Sequence, residues 1–441
     1  MATRWHTTPW LLAGILSLSV GSSRPLAAPL ADPAPADTQA VPVARWPDFP
    51  LLPDGRFPIG AWCAPPARQN TDARYAEYAR AGFNVTFGML EDPFLPAPSL
   101  ARLEVSRRHH VYAVVRDKRV DPDEAERPGW RAKVDSTVRA YSSQPALLGY
   151  FLADEPGLDI FPSLAALNRR FAQRDSRHPG YANLLGFPAP GPAYGAPFYT
   201  EFLRRYLRQV RPTFFTFDHY SLLEGSDAPY FITGLDSIGL VSRETGVPFW
   251  AILQLTPHLH FRKLTPAELA WQAYLAMAHG ARGIVWFTYW TPNPAESFHY
   301  RDGPITYDGR RTAAYAAVAQ LNPRLQALGK ELSPFRSLGV RYTGPVPYGC
   351  KALADTPALR IQATAPLAVG FFRGPEARTY ALLVNRDYRR TSLVRLSTRG
   401  SFGRWRRSTG YYRSVRPGAV IMLEPGDAEL VRLPKDYEYI D

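Results

Sequence analysis

The sequence predicts an α/β fold in two parts, a (β/α)₈ TIM barrel followed by a small antiparallel β-sandwich. Eight short apolar runs, rich in β-branched and aromatic residues, alternate with stretches of helical periodicity over roughly 280 residues. No Gly-x-Gly-x-x-Gly loop follows any run, which argues against a doubly wound, dinucleotide-binding sheet. After Leu338 the pattern changes to short alternating strands separated by turns, as in a sandwich. A chain of 441 residues is long enough for two domains, because single cores stop growing near about 250–300 residues.

The eight apolar runs have the length of buried strands. They are residues 57–62, 83–87, 111–115, 147–152, 181–185, 213–217, 248–253 and 283–287. The helical stretches between them are residues 71–81, 99–109, 130–142, 163–174, 200–210, 230–245 and 265–279. Thr265 and Pro266 illustrate a helix start, with a capping threonine before a proline at the first helical position. Sandwich strands are expected at residues 380–385, 392–396, 420–423 and 428–433.

The first 31 residues are typical of a secretory signal peptide. A basic start precedes an apolar run at residues 10–20, which is too short to span a bilayer, and alanine-containing cleavage candidates follow it. Residues 32–50 are rich in Ala, Pro and Asp and are predicted to be a linker. We therefore expect a periplasmic or secreted protein with no stable membrane span after signal cleavage; a retained N-terminal anchor is the alternative. The barrel is assigned to residues 51–334 and the sandwich to residues 335–441.

Charge and cysteine content restrict the function further. The net charge is +13, and residues 335–441 contain 18 Arg and Lys residues but only 9 Asp and Glu residues. Because these arginines lie in alternating, strand-like sequence, we predict a solvated basic face and no nucleic-acid partner, with attraction to anionic polymers as the alternative. Two cysteines, Cys63 and Cys350, exclude disulfide-rich, zinc-ribbon and iron–sulfur scaffolds and leave one bridge or a buried thiol as the options.

Barrel enzymes carry their chemistry at the C-terminal ends of the strands, so these ends supply the candidate site. The residues after strands one to eight are Trp62-Cys63, Glu91-Asp92, Arg116-Asp117-Lys118, Asp154-Glu155, Asn183, Asp218-His219-Tyr220, Gln254 with His258 and His260, and Thr288-Tyr289-Trp290. Carboxylates, histidines and aromatic residues thus gather on one rim. The adjacent acids Asp154 and Glu155 follow an apolar strand directly, where burial favours a raised pKa and suits a proton donor near neutral pH. The alternative is an acid pair that only starts a helix.

Two segments resemble the (β/α)₈-barrel glycoside hydrolases. Residues 148–156, Leu-Gly-Tyr-Phe-Leu-Ala-Asp-Glu-Pro, are similar to a Tyr-x-x-x-Asp-Glu-Pro segment of several such groups, and residues 280–290 are similar to their eighth strand. The resemblance covers about residues 55–330 and includes a trailing sandwich. It implies that Glu155 is the proton donor and that Tyr289 and Trp290 form a floor on which a sugar ring stacks.

The sequence departs from the largest group of these enzymes at the end of strand seven, where a nucleophilic Glu is expected and Gln254 stands. Two alternatives remain. In the first, Asp218 is the second carboxylate and either activates a water molecule or attacks the sugar carbon itself. In the second, Asp154 orients an acetamido group of the substrate, which attacks the carbon of the same sugar, as in hexosaminidases with an Asp-Glu pair. The candidate substrate-binding residues are Trp62, Asn183, His219, Tyr220, Gln254, Tyr289 and Trp290.

The sequence therefore predicts an exported glycoside hydrolase that cleaves an oligo- or polysaccharide by carboxylate acid/base catalysis. A non-catalytic carbohydrate-binding barrel is the alternative, because it needs the aromatic rim but no proton donor. We expect no cofactor. His219, His258 and His260 with Asp218 would suit a metal ion, but polar loop histidines are commoner. An esterase is disfavoured because no Gly-x-Ser-x-Gly motif is present.

Overall fold

A computed structural model describes residues 52–90, 94–187, 195–196, 198–228 and 230–439 of the chain. The predicted signal peptide and linker lie outside the described residues, as do Glu91 and Asp92. Among the described residues, no helix is long and apolar enough to cross a membrane.

Eight parallel strands close into a barrel in sequence order, which confirms the predicted fold. They are β1 (Ile59–Ala61), β2 (Val85–Phe87), β3 (Tyr112–Arg116), β4 (Leu147–Asp154), β5 (Gly180–Leu185), β6 (Phe215–His219), β7 (Phe249–Gln254) and β8 (Ile284–Phe287). Closure comes from β1 pairing with β8, where Ile59 stands opposite Ile284. Inside the barrel, large side chains such as Trp62, Phe151 and Trp250 form one buried cluster, so the centre is a packed core.

The described residues include eight α-helices. They are α1 (Asp72–Arg80), α2 (Pro96–Arg108), α3 (Trp130–Tyr141), α4 (Phe161–Arg174), α5 (Tyr199–Val210), α6 (Phe231–Thr245), α7 (Pro266–Ala278) and α8 (Ala313–Leu332). The helix start predicted at Thr265 is present as a full capping box. The Thr265 side chain accepts a hydrogen bond from the Glu268 backbone N–H, and the Glu268 carboxylate accepts one from the Thr265 backbone N–H.

Two antiparallel sheets follow the barrel, as predicted. The strands are β9 (Arg336–Tyr342), β10 (Leu359–Ala363), β11 (Leu367–Arg373), β12 (Thr379–Asn385), β13 (Ser392–Thr398), β14 (Phe402–Arg406), β15 (Tyr411–Val415), β16 (Val420–Leu423) and β17 (Ala428–Arg432). One sheet has six strands in the order β15-β14-β17-β12-β11-β9, and the other has three in the order β10-β13-β16. A second buried cluster, which includes Leu367, Val394 and Ile421, forms the core of this sandwich.

The sandwich packs directly on α7. Gly370 on β11 permits the close approach, because a Cβ atom there would stand 2.5 Å from the carbonyl oxygen of Ala278. On the same helix, the Trp271 indole N–H donates to the carbonyl of Arg386, 3.0 Å away, on the loop after β12. Both cysteines are free thiols, so the bridge considered between Cys63 and Cys350 is not formed. Cys63 is a buried thiol, the other option left open by the sequence.

Candidate active site

Neighbouring strands bring three of the predicted site residues together. In the register of the barrel, Asp154 on β4 stands opposite Asn183 on β5, and Leu185 on β5 stands opposite Asp218 on β6. The Asn183 side-chain nitrogen donates to Asp154 Oδ1 at 3.0 Å and to Asp218 Oδ1 at 2.9 Å. The hydroxyl of Thr216 donates to Asn183 Oδ1 at 2.9 Å, which fixes which way the amide points. One buried amide therefore connects two carboxylates across three strands.

Glu155 joins this group through an unusual backbone conformation. Its φ of 47° lies in the left-handed region, which costs free energy for a residue with a side chain. Its backbone N–H donates to the carbonyl of Asn183 at 2.8 Å, so the turn at the end of β4 is tied to β5. The Glu155 carboxyl group is hydrogen-bonded to that of Asp218. Three acids thus lie side by side at the mouth of the barrel.

The pKa values of the three acids are raised, mainly because they are surrounded by protein. Desolvation, followed by the charges of Asp218 and Asp154, raises the pKa of Glu155 well above its usual range. Desolvation and the charge of Asp154 raise the pKa of Asp218 to about 7, although hydrogen bonds from Asn183 and Glu155 oppose the rise. For Asp154, desolvation again raises the pKa, while Asn183 and the nearby Arg116 favour its ionised form. The proton of this cluster accordingly belongs on Glu155, which donates to Asp218.

These acids are accessible even though protein surrounds them. Asp154 is exposed, and both Glu155 and Asp218 are half-buried. Such a combination is characteristic of a concave cleft, where a ligand reaches groups that bulk water solvates poorly. The site can therefore hold a neutral carboxylic acid and a carboxylate next to each other and present both to a bound molecule.

An aromatic wall stands beside Asp218. The Tyr220 ring lies 5.1 Å from Phe287, 5.4 Å from His258 and 5.5 Å from Phe261, measured between centroids. Tyr300, on the loop after β8, stacks on His258 at 5.7 Å. Tyr220 and Phe287 are half-buried, so part of this wall faces the cleft.

Tyr300 and Phe287 were not among the predicted site residues. Phe287 could have been found from its place as the last residue of the eighth strand, whereas Tyr300 belongs to a loop whose course no local pattern indicates.

Two of the predicted substrate-binding residues are instead part of the core. Tyr289 is 0% exposed and its ring contacts Tyr78 at 4.7 Å and Phe83 at 5.2 Å, both outside the strands of the barrel. Trp290 is 1% exposed, and the guanidinium of Arg74 lies 5.2 Å from its ring. Neither ring presents a face to the cleft, so the expected sugar-stacking floor of Tyr289 and Trp290 is not formed in this structure.

Gln254 is also placed differently from the sequence interpretation. It is fully buried at the end of β7, and its side-chain nitrogen donates to the carbonyls of Leu222 at 3.0 Å and Arg262 at 3.1 Å. Its side-chain oxygen accepts from the Leu222 N–H at 3.1 Å. All of these partners are backbone groups of the loops after β6 and β7. Gln254 therefore holds two rim loops together and does not face the cleft.

Trp62 and His219 are buried against aromatic residues of the core. Trp62 is buried, stacks on Phe87 at 5.7 Å and meets Phe151 edge-on at 5.1 Å. His219 is buried edge-on against Phe231, and burial lowers its pKa to about 4, so the ring is neutral at physiological pH. Asn183 and Tyr220 are thus the predicted binding residues that lie against the acids.

The histidines considered as metal ligands are not gathered around a common point. His258 Nδ1 bonds to the carbonyl of Thr256 at 2.8 Å, and burial lowers the pKa of His258 to about 4. His260, two residues on, is exposed. Within the described ranges there is no group of three or more His, Cys, Asp or Glu that could hold a metal ion.

The sequence matches no protein-family model and no curated protein. Solved structures, in contrast, match over most of the chain. A catalytic mutant of a GH42 beta-galactosidase from G. stearothermophilus matches with a TM-score of 0.58 at 10% identity, over 86% of this chain and 98% of the other. The beta-galactosidase of Bacillus circulans sp. alkalophilus gives 0.58 at 8% identity, over 86% and 99%. A glycoside hydrolase family 5 structure from Bacteroides vulgatus gives 0.52 at 14% identity, over 87% and 90%.

The chain has the (β/α)₈-barrel fold of these glycoside hydrolases. The predicted resemblance is confirmed at the level of architecture, since these structures share the fold at identities of 14% or less. The likeness concerns the fold alone, so any chemistry has to be argued from the residues of this chain.

Proposed function

We propose that the protein is an exported glycoside hydrolase in which Glu155 protonates the leaving oxygen of a glycosidic bond. One observation carries the proposal: Glu155, Asp218 and Asp154 form a hydrogen-bonded group of acids around Asn183 at the open end of a glycoside hydrolase barrel. The fold places catalytic groups at this end of the strands. Export follows from the signal-like first 31 residues and is part of the proposal.

Glu155 is the acid of the group because its neutral form is the one that its surroundings favour. Its carboxyl donates to Asp218, and the charges of Asp218 and Asp154 oppose its ionisation. A carboxylic acid that stays protonated near neutral pH can give its proton to a departing sugar oxygen. The hydrogen bond to Asp218 keeps Glu155 protonated until a substrate oxygen replaces Asp218 as the acceptor of that proton.

The contact between Glu155 and Asp218 bears on the choice between the two mechanistic routes. An inverting glycosidase needs about 6.5–9.5 Å between its carboxyl groups to admit water, and a retaining one with a protein nucleophile needs about 5–5.5 Å. Two hydrogen-bonded carboxyl groups are closer than either value. This geometry favours the route in which the attacking atom comes from the substrate.

In the favoured route the acetamido oxygen of an N-acetylated sugar attacks the anomeric carbon. The bond from that carbon to the leaving oxygen breaks as Glu155 donates its proton to the oxygen. Asp154, whose ionised form Asn183 and Arg116 favour, accepts the acetamido N–H and stabilises the positive charge that develops. Water then attacks the anomeric carbon and breaks its bond to the acetamido oxygen, while the Glu155 carboxylate takes a proton from the water, so the anomeric configuration is retained.

Tyr220 and Phe287 supply the apolar side of the cleft. Both are half-buried, and their ring centroids are 5.1 Å apart. Tyr220 follows Asp218 by two residues and is close enough for the charge of Asp218 to raise its pKa. Aromatic faces suit the apolar face of a pyranose ring. They take the role that the sequence interpretation gave to Tyr289 and Trp290.

The test is hydrolysis of paired aryl glycosides, with and without a 2-acetamido group, by the mature chain and its Glu155→Gln variant. We expect turnover of the acetamido substrates with a retained anomer, seen by proton NMR, and a loss of at least about a hundredfold in kcat for Glu155→Gln. Glu244→Gln is the matched control, because Glu244 is an exposed ion-pair partner of Arg204 at the far end of α6. An inverted product would refute the acetamido route. Unchanged turnover in Glu155→Gln would refute the donor assignment, and binding without any turnover would identify a carbohydrate-binding barrel.

A further inference from the structure

A basic concavity lies where the sandwich meets the rim of the barrel. Its volume is about 500 Å³. We call it the arginine pocket, and it is lined by Ile232, Pro345, Pro366, Arg386, Asp387, Tyr388, Arg389 and Arg390. Five consecutive residues of this set form the loop after β12, so one short segment supplies three guanidinium groups.

Arg386 is held rigidly and still has a free donor. Its Nη2 donates to the carbonyls of Thr343 at 2.8 Å and Pro345 at 2.6 Å. Its Nε is buried and has no hydrogen-bond partner among the described residues. No carboxylate of the described chain forms an ion pair with this guanidinium, so its charge is not compensated locally. A buried, unpaired donor of this kind is stabilised when an acceptor binds.

The other two arginines differ in the partners they have. Arg390 forms an ion pair with Asp387 at 2.6 Å. Arg389 lies 5.2 Å from the centre of the Tyr388 ring, and within the described residues it has no carboxylate partner. Arg386 and Arg389 are therefore the guanidinium groups of the pocket that no carboxylate of the described residues neutralises, and a planar guanidinium matches a carboxylate or sulfate by two parallel hydrogen bonds.

The arginine pocket is connected to the rim loops of the candidate active site. The Tyr388 hydroxyl donates to Asp227, on the loop that follows Tyr220. Arg262, on the loop after β7, donates to Asp227 at 2.8 Å and to the Tyr388 hydroxyl at 3.3 Å. The pocket thus belongs to the same end of the barrel as the three acids.

Exposed aromatic rings stand next to the pocket. Tyr230, directly before α6, is 44% exposed, and Tyr348 is 58% exposed; their ring centroids are 6.1 Å apart. Tyr230 is also 6.0 Å from Phe187, on the loop after β5. The hydroxyl of Thr233 donates to the carbonyl of Tyr348 at 2.7 Å, which fixes the sandwich loop against α6. Exposed aromatic faces beside arginines provide stacking surfaces next to anion sites.

We propose that the arginine pocket and the Tyr230–Tyr348 pair form an accessory subsite for an acidic polysaccharide. Carboxylate or sulfate groups of the polymer bind Arg386 and Arg389, and its sugar rings stack on Tyr348 and Tyr230. The polymer continues along the rim into the cleft that holds Glu155. This step rests on the proposed function, because it takes the bound polymer to be the substrate of that cleft.

The test measures binding of polymers to the Glu155→Gln chain, so that no turnover is needed. Dissociation constants are determined for polygalacturonate, chondroitin sulfate and neutral dextran at fixed ionic strength. We expect both acidic polymers to bind more tightly than dextran and Arg389→Ala to weaken their binding by roughly tenfold, the value of one charged hydrogen bond. Arg386→Lys keeps the charge but loses the planar fork, and it should weaken binding as well. Arg399→Ala is the matched control, since Arg399 is exposed between β13 and β14.

The outcomes separate the ligand chemistries. Binding of polygalacturonate alone assigns the subsite to uronate carboxylates, and binding of both acidic polymers assigns it to anionic groups in general. Equal binding of dextran, equal effects of Arg389→Ala and Arg399→Ala, or equally tight binding of a DNA oligonucleotide would overturn the proposal. Hydrolysis of small aryl glycosides, which carry no acidic group for the arginine pocket to bind, reports on the proposed function independently.

Discussion

Asp154 and Asp218 share a single hydrogen-bond donor, the side-chain nitrogen of Asn183. Their two Oδ1 atoms can be no farther apart than the sum of the two hydrogen-bond lengths, although they come from strands that are not neighbours. The donor offsets part of the repulsion between two carboxylates at this spacing and favours their ionised forms.

Replacing Asn183 with Ala should move the acidic limb of the pH–rate profile to higher pH. Without the amide, the pKa values of Asp154 and Asp218 rise further, so each ionises at a higher pH. One charged hydrogen bond corresponds to a shift of about one pH unit. The measurement is kcat/KM against pH for both chains. Thr216→Val, which removes only the hydroxyl that orients the amide, should give a smaller shift, and coincident profiles for all three proteins would contradict this account.

The free energy of unfolding should decrease as the pH rises from about 4 to about 7. In this range the folded chain keeps a proton on Asp218 that the unfolded chain has lost. The pKa of Asp218 is raised to about 7 in the folded state, against about 3.9 in an unfolded chain. Between these values the folded state binds more protons than the unfolded state, so the free energy of unfolding decreases with pH. Asp218→Asn removes this group. It should therefore reduce the fall in the free energy of unfolding between acidic and neutral pH by on the order of a few kcal/mol.

Urea unfolding of both chains at pH 5 and pH 8 measures the effect. The free energy of unfolding of Asp218→Asn minus that of the parent chain should be more positive at pH 8 than at pH 5. A constant difference at the two pH values would show that Asp218 is ionised throughout and that its carboxylate is well solvated.

Gln254 should matter for stability rather than for the chemical step. Gln254→Ala leaves the Leu222 N–H and the carbonyls of Leu222 and Arg262 without their side-chain partner, at a cost of about 3 kcal/mol in the free energy of unfolding. Gln254→Glu should cost at least as much, because a carboxylate would face those two carbonyl oxygens. Restored or increased hydrolysis in Gln254→Glu would show instead that this position faces the substrate. Denaturant midpoints and kcat measured on the same preparations distinguish the two results.

Gly370→Ala should destabilise the contact between the sandwich and α7. The added methyl group would stand 2.5 Å from the Ala278 carbonyl oxygen, and such overpacking costs about 1–3 kcal/mol. Gly400→Ala is the control, since a Cβ atom at Gly400 meets no atom within 4 Å. Equal thermal midpoints for the two variants would mean that the interface yields without cost.

The barrel was predictable because its strands are buried on both faces and therefore appear as uninterrupted apolar runs. The end of β4 was predictable for the same reason, since Asp154 and Glu155 interrupt such a run abruptly. The direction in which side chains point beyond the end of a strand could not be predicted from the sequence. Tyr289 follows β8 by two residues, and no periodicity indicates that its ring turns toward Tyr78 rather than the cleft. Gln254 was misplaced because its partners are backbone groups of distant loops, which leave no local signal.

The helix α7 is buried at every position from Glu268 to Ala278. Helices on the outside of a barrel ordinarily keep one polar stripe for water, and a helix without one requires cover on all sides. The sandwich provides this cover through Gly370 and the Trp271 contact. A chain that ended at residue 334 would therefore expose an apolar face of α7 to water. The sandwich therefore completes the hydrophobic core of the barrel and does not act as an independent appended module.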